Sequence, residues 1–251
     1  MVNSDQFHTT HWSVVLTAKG DDLAAREALS TLCETYYQPI LRYIERQAAG
    51  DSVWRYGGRD AQDLTHDFFT QLLEGKIFAT VDREGARFRV YLLGTVRFFL
   101  SQIRIRESAQ KRGGMPPQIS LPDDSPAPAD FDDAIFDRDW ASTMVRRAIN
   151  TLENLSDNAT QNSVSVKPSN LIQKLLPWLT GEMNAETRRQ LATELEMSDV
   201  AIKVALHRVR KKFREMIRMQ IAETVVRESD VNAELDHLIR ALRGNVTFLQ
   251  K

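Results

Sequence analysis

One cysteine, Cys33, stands among 251 residues. No internal disulfide can form, and its place on the apolar face of a predicted helix suits a small core residue better than a nucleophile. Long apolar runs are missing too. No stretch approaches the ~18 residues of a membrane span, and no signal peptide is visible, so the expectation is a cytoplasmic protein. The period-two alternation of a half-buried strand does not appear at any length, nor does an internal repeat. Metal chemistry has little to work with. His8, His11, His66, His207 and His237 show no His-x-x-x-His spacing and have no cysteine partners, and His8-Thr-Thr-His11 lacks the glutamate of a zinc protease motif. No glycine-rich phosphate loop is present. These absences point away from an enzyme, and no cofactor or metal is expected.

Excess charge is also lacking. The net charge of −1 argues against a simple nucleic-acid coat, but its distribution is uneven. Arg87 to Arg112 holds seven basic residues and one acid, Glu107; Pro122 to Asp139 holds seven aspartates and one basic residue, Arg138; Lys203 to Arg218 holds seven basic residues and one acid, Glu215. Alternating blocks of one sign mark interaction surfaces or solvated linkers. A hydrophobic fraction of 42% is ordinary for a chain with a packed core, and the length suits one large domain or two small ones.

What is present is helical. Thr10 is placed to cap a short helix that begins near Trp12. A long helix is predicted over 22–48, with Leu29, Leu32, Cys33, Tyr36, Ile40 and Tyr43 buried and Pro39 expected to kink or divide it. Asn154 to Asn170 reads as a loop, and Leu171 to Leu179 as a short apolar helix bent at Pro177. A last helix is predicted over 230–243, capped by Ser229 and stopped by Gly244, with Leu235, Leu238 and Leu242 inward.

The predicted helix over 60–74 buries Ala61, Leu64, Phe68 and Leu72 and turns Asp60, Asp63 and Asp67 outward. Such carboxylates suit a solvated face, a protein-binding patch, or acid–base and metal chemistry. In the helix over 87–111, Phe88, Leu92, Val96, Phe99 and Ile103 form the inner stripe, while Arg97 and Arg104 point the other way with Phe98 at the rim. Arginine beside an aromatic is what single-stranded nucleic acid requires, since the ring stacks on a base while the cation meets phosphate; alternatively Phe98 widens the core stripe.

Residues 185–214 read as helix, tight turn, helix. Leu191, Ala192 and Leu195 lie on one face of the first. Ser198 is placed to cap the second, whose stripe is Ile202, Leu206, Val209, Phe213 and Met216. The far side offers Val200, Lys203, Val204 and His207, of which only Lys203 and His207 can hydrogen-bond a base edge, with Arg208, Arg210, Lys211 and Arg214 further along. A short helix behind a long basic one is the arrangement of a helix-turn-helix. Glu196 occupies the turn where glycine is common.

Four segments carry a resemblance: Asp60-Ala-Gln-Asp-Leu-Thr-His-Asp-Phe-Phe, Phe88-Arg-Val-Tyr-Leu-Leu, Ala109-Gln-Lys-Arg-Gly-Gly and Ala201-Ile-Lys-Val-Ala-Leu-His-Arg-Val-Arg. Together they resemble the extracytoplasmic-function sigma factors, the promoter-specificity subunits of bacterial RNA polymerase, over about residues 10–243. The resemblance implies an all-α fold of two helical domains: 1–114 like sigma region 2, an acidic Pro-rich linker over 115–138, 139–226 like the sigma region 4 helix-turn-helix, and a C-terminal helical extension over 227–251. It implies core polymerase and promoter DNA as partners, and leaves open an anti-sigma factor. Core polymerase binding would fall on Asp60, Asp63, Asp67 and Phe68. The minus-ten element would be met by Arg97, Phe98, Gln102 and Arg104, and the minus-thirty-five element by Ser198, Lys203, Val204, His207, Arg208, Arg210 and Lys211. The chain departs from the family where Phe98 replaces a frequent asparagine and Val204-Ala205 a frequent Ser-Arg pair. The alternative function is a self-sufficient helix-turn-helix regulator that binds its operator without polymerase.

Overall fold

The structure, a computed structural model, describes residues 10–17, 23–49, 59–74, 87–111, 131–160 and 168–243. It is all-α, with no strand among the described residues. The helices are α1 (His11–Thr17), α2 (Leu23–Ala49), α3 (Ala61–Leu73), α4 (Phe88–Lys111), α5 (Phe131–Thr160), α6 (Pro168–Leu175), α7 (Ala185–Glu194), α8 (Asp199–Ala222) and α9 (Glu228–Arg243), with a 3-10 turn over Leu176–Trp178 after α6. His8, Trp54, Tyr56, the Gly113-Gly114 stop, linker residues 115–130 and Gly244 lie outside the described residues.

Two units form: Met1–Ala141 with Ile221–Ala241, and Ser142–Gln220 with Leu242–Lys251. This division differs from the expected one. The last stretch of the expected acidic linker, 131–138, is helical, because Phe136 and Trp140 are both fully buried and anchor the start of α5. The expected boundary at 139 therefore falls within a helix. The C-terminal helix, expected as a separate extension, belongs to the first unit through residues 221–241. Of the loop expected over 154–170, residues 154–160 instead continue α5 and 168–170 begin α6; 161–167 lie outside the described residues. α9 starts at Glu228, so Ser229 lies inside its first turn rather than at its cap.

In the first unit, α2 packs against α1 and α3. Pro39 is buried and does not divide α2, which runs unbroken through it. The core is aromatic. Trp12 lies 5.0 Å from Phe88 between ring centroids, Tyr36 meets Phe88 edge-on at 5.0 Å, and Phe68 meets Phe99 at 5.5 Å. Edge-on and tilted pairs of this kind add to what area burial supplies. Burial also pushes the Cys33 thiol up to about 12, helped by the charge of Glu34, so at neutral pH it is a protonated core group.

The N-terminal segment and the turn after α8 solve a shared problem. Helix starts leave amide donors without intrahelical partners. Thr10 caps α1 as expected, accepting from Ser13 N at 3.1 Å. Its hydroxyl donates to the Val225 carbonyl at 2.7 Å. Trp12 N donates to Glu223 O at 3.1 Å, and Phe88 N, at the start of α4, donates to Thr224 O at 3.0 Å. Three successive carbonyls, 223 to 225, thus tie the beginnings of α1 and α4 to the turn before α9.

A buried ionic cluster adds a second tie. Arg89, on α4, donates from Nε to Glu234 Oε1 of α9 at 2.8 Å and pairs through Nη1 with Asp137 of α5. Its guanidinium carbon sits 5.1 Å from the Trp140 ring centroid. Glu234 is fully buried, and its Oε2 lies 3.2 Å from Arg87 Nη1 as an ion pair. Asp137 also meets His237 Nε2 at 2.7 Å. Burial works against the charged guanidinium, but the hydrogen bond and charge of Glu234, with the charge of Asp137, outweigh it and raise the Arg89 pKa above its ordinary value.

In the second unit, Leu175, Ala192, Leu195, Ile202 and Leu206 form the buried centre, with Leu171, Trp178, Met183, Met197, Ala205 and Val209 packed around it. Leu191, Ala192 and Leu195 are buried as expected, and so are Ile202, Leu206 and Phe213; Val209 and Met216 are only half-buried, and Ile217 rather than Met216 continues the buried face of α8.

Candidate nucleic-acid interface

The helix-turn-helix is assembled from its caps. Asn184 accepts from Thr187 N at 2.8 Å and starts α7. At the other end, Met197 N donates to Ala192 O at 2.8 Å and Glu196 N to Thr193 O at 3.3 Å. This is the Schellman pattern, which requires a left-handed residue after the cap. Glu196 supplies it at φ 53, the one positive φ outside glycine among the described residues. Ser198 then caps α8, its Oγ accepting from Ala201 N at 3.1 Å. Ser198 is therefore spent on starting the helix.

Glu196 carries a testable cost. A Cβ in the left-handed region costs about 1–2 kcal/mol, while glycine returns roughly half of that as lost backbone entropy. Glu196→Gly is expected to stabilise the protein by up to about 1 kcal/mol, read as a higher urea midpoint at an unchanged slope. A lower midpoint would show that the glutamate side chain makes an interaction that outweighs its backbone strain.

A network of charges orients the two helices. Arg188 of α7 donates from Nε to Asp199 Oδ1 in the first turn of α8. That hydrogen bond, with the charges of Arg188 and Lys203, holds the Asp199 carboxyl below its ordinary value. Lys203 Nζ lies 3.6 Å from Asp199 Oδ2. A depression of about 250 Å³ has Arg188, Lys203, His207 and Arg210 in its lining against a single acid, Glu182.

Of the residues expected to meet duplex DNA, Lys203, Val204, His207, Arg208 and Lys211 are exposed along one side of α8, as are Val200 and Arg214. Arg210 departs from expectation. Its Nη2 donates to the Trp178 carbonyl at 2.8 Å and also meets the Gly181 carbonyl, and its Nε reaches Trp178 O at 3.1 Å. Carbonyls at the end of a helical turn lack intrahelical donors, and a guanidinium is well shaped to satisfy several at once. Arg210 braces the segment before α7 rather than projecting to a phosphate.

The acidic face of α3 is built into its own cap. Asp60 Oδ1 accepts from Asp63 N at 2.9 Å, and Asp63 Oδ2 accepts from Asp60 N at 3.2 Å, a reciprocal capping box. Asp60 and Asp63 are exposed; Asp67 is half-buried and paired with exposed Arg59 at 2.6 Å. Phe68, expected at or beneath this surface, is fully buried. It lies beneath the face, packed against the rings of Phe69 and Phe99.

The α4 residues are less open than expected. Arg97, Phe98, Gln102 and Arg104 are all half-buried. Arg97 pairs with Asp133 at the start of α5 and donates to Tyr43 Oη at 3.3 Å. Arg59 and Asp133 were not read from the sequence as site residues. Their signal was present only as charge complementarity to Asp67 and Arg97, with Asp133 36 residues from its partner.

A family described as ECF sigma factor matches residues 14–219. No curated protein and no solved structure matches the chain.

Proposed function

This chain belongs to the ECF sigma factor family, and from that premise we propose that it binds core RNA polymerase and directs it to promoters. A sigma factor is a DNA-binding protein of transcription initiation. The finer division of labour is the one the resemblance to the family implies, and the charges of the two units suit it. The capped acidic face of α3, Asp60, Asp63 and Asp67, docks on a basic surface of core polymerase, where charge complementarity sets encounter and register. The α4 face around Phe98, Gln102 and Arg104 meets melted promoter DNA, and Arg97 joins it by exchanging Asp133 for phosphate. The helix-turn-helix lays α8 in the major groove of the upstream element.

The observation that carries the reading is α8. A capped recognition helix keeps Lys203, His207, Arg208, Lys211 and Arg214 exposed on one side, over a buried Ile202, Leu206 and Phe213 stripe. That is the electrostatic footprint of a duplex reader. The test is run-off transcription from a genomic promoter library with purified core polymerase, with and without the chain. Transcripts that depend on the chain are the expected result. A specific shift of duplex DNA by the protein alone, with no effect on polymerase, would replace the proposal with an autonomous regulator.

A further inference from the structure

The outward side of α8 combines basic residues with two exposed valines. Val200 is 66% exposed and Val204 43%, one helical turn apart. Single exposed apolar residues are normal on a protein surface. These two stack at i and i+4, so they form one continuous patch. Nothing local favours them. β-Branched side chains lose χ1 freedom in a helix and an exposed position returns no packing. The polar groups beside them are differently engaged: Lys203 lies 3.6 Å from Asp199, which in turn accepts from Arg188.

Resting on the proposed placement of α8 in the major groove, we propose that Val200 and Val204 are specificity-determining residues that recognise the C5-methyl groups of thymines in the upstream promoter element. The occupant of the patch follows from its surroundings. Lys203, Arg208, Lys211 and Arg214 make this side of α8 cationic, which suits a polyanion and disfavours an apolar protein partner. On duplex DNA the one apolar group displayed in the major groove is the thymine methyl, and apolar side chains are its counterpart. The two Cβ atoms of an i, i+4 pair lie about 6 Å apart, a spacing that suits methyls on neighbouring base pairs. The element read by this chain is therefore expected to contain thymines on one strand opposite these positions, where hydrogen-bonding side chains would instead select guanine or adenine.

The experiment uses holoenzyme made from the full chain and core polymerase. An upstream element is first selected from a randomised library. Each thymine in the selected duplex is then replaced singly by deoxyuridine, which removes the methyl and leaves every hydrogen-bonding group in place. The parent holoenzyme is expected to lose about fourfold in affinity at one or two positions, the value of one buried methyl. Holoenzyme carrying Val200→Ala with Val204→Ala is expected to bind thymine and uracil duplexes equally there, with an unchanged salt dependence, because phosphate contacts are untouched. Alanine raises helix propensity at both sites, so the variant folds. If the parent selects an element yet tolerates uracil at every position, the valines do not read methyls, while α8 remains a duplex reader. If no upstream element is enriched, the placement of α8 in the groove fails and the valine inference falls with it.

Discussion

Replacing Glu234 with alanine is expected to destabilise the protein by about 3–5 kcal/mol, the usual cost of removing one partner from a buried ion pair. The magnitude comes from what is left behind. Arg89 is almost wholly buried, and its Nε would lose the only hydrogen-bond acceptor it has among the described contacts. Arg87, half-buried, would lose its charge partner at the same time. Asp137 cannot compensate, because it already serves both Arg89 and His237. The cluster need not be stabilising relative to an apolar one. Arg89→Met combined with Glu234→Met is therefore expected to recover most of the loss, since paired apolar replacements of buried ions are often neutral or better. Urea denaturation followed by circular dichroism reads all three proteins. A single-variant cost below about 1 kcal/mol would mean that α9 is held by its apolar face, Val231 and Leu238, and not by the ions.

This cluster also shows which features a linear reading reaches. Periodicity of 3.6 places the helices and their stripes, because a buried face repeats within one element. Leu64, Phe68 and Leu72, or Ile202, Leu206 and Phe213, can each be found from a single window and are all buried. Caps are equally local: Thr10 and Ser198 act within three residues of where they stand. Glu196 is conspicuous for the same reason, as a bulky residue in a turn that calls for a left-handed backbone. Partners far apart in the chain are another matter. Arg89 and Glu234 are 145 residues apart, and no window contains both. The one local hint is Glu234 itself, which interrupts an inward stripe between Val231 and Leu238 with a charge. Arg210 misleads for a related reason. It lies in a basic run, where composition suggests phosphate, but its carbonyl partners 29 and 32 residues upstream decide its direction. The same holds for Arg97, whose apparent exposure on a helical wheel is cancelled by Asp133.

Neutralising the acidic face of α3 is expected to weaken binding to core polymerase by a hundredfold or more while leaving the fold intact, and the caps dictate how the variant must be made. Reversing Asp63 to arginine would break the capping box and set a cation against the positive end of the helix dipole, so lost binding would be confounded with a damaged helix. The substitutions Asp60→Asn, Asp63→Gln and Asp67→Asn avoid this. Asparagine is as good an N-cap as aspartate, and glutamine at the third helical position preserves the reciprocal bond to the cap backbone. The remaining structural costs are the lost favourable charges near the N-terminus, about 0.3–1 kcal/mol each, and the exposed Asp67–Arg59 pair, worth at most about 1 kcal/mol. The removed charge is another matter at an interface. Coupling across close charge pairs runs from about 1.5 kcal/mol upward, and two such pairs suffice for the hundredfold. Fluorescence titration of labelled core polymerase measures the affinity, and a thermal melt of the same sample reports the fold. A folded triple variant that binds polymerase as tightly as the parent would remove α3 from the interface and leave its carboxylates as a solvated, self-capping face.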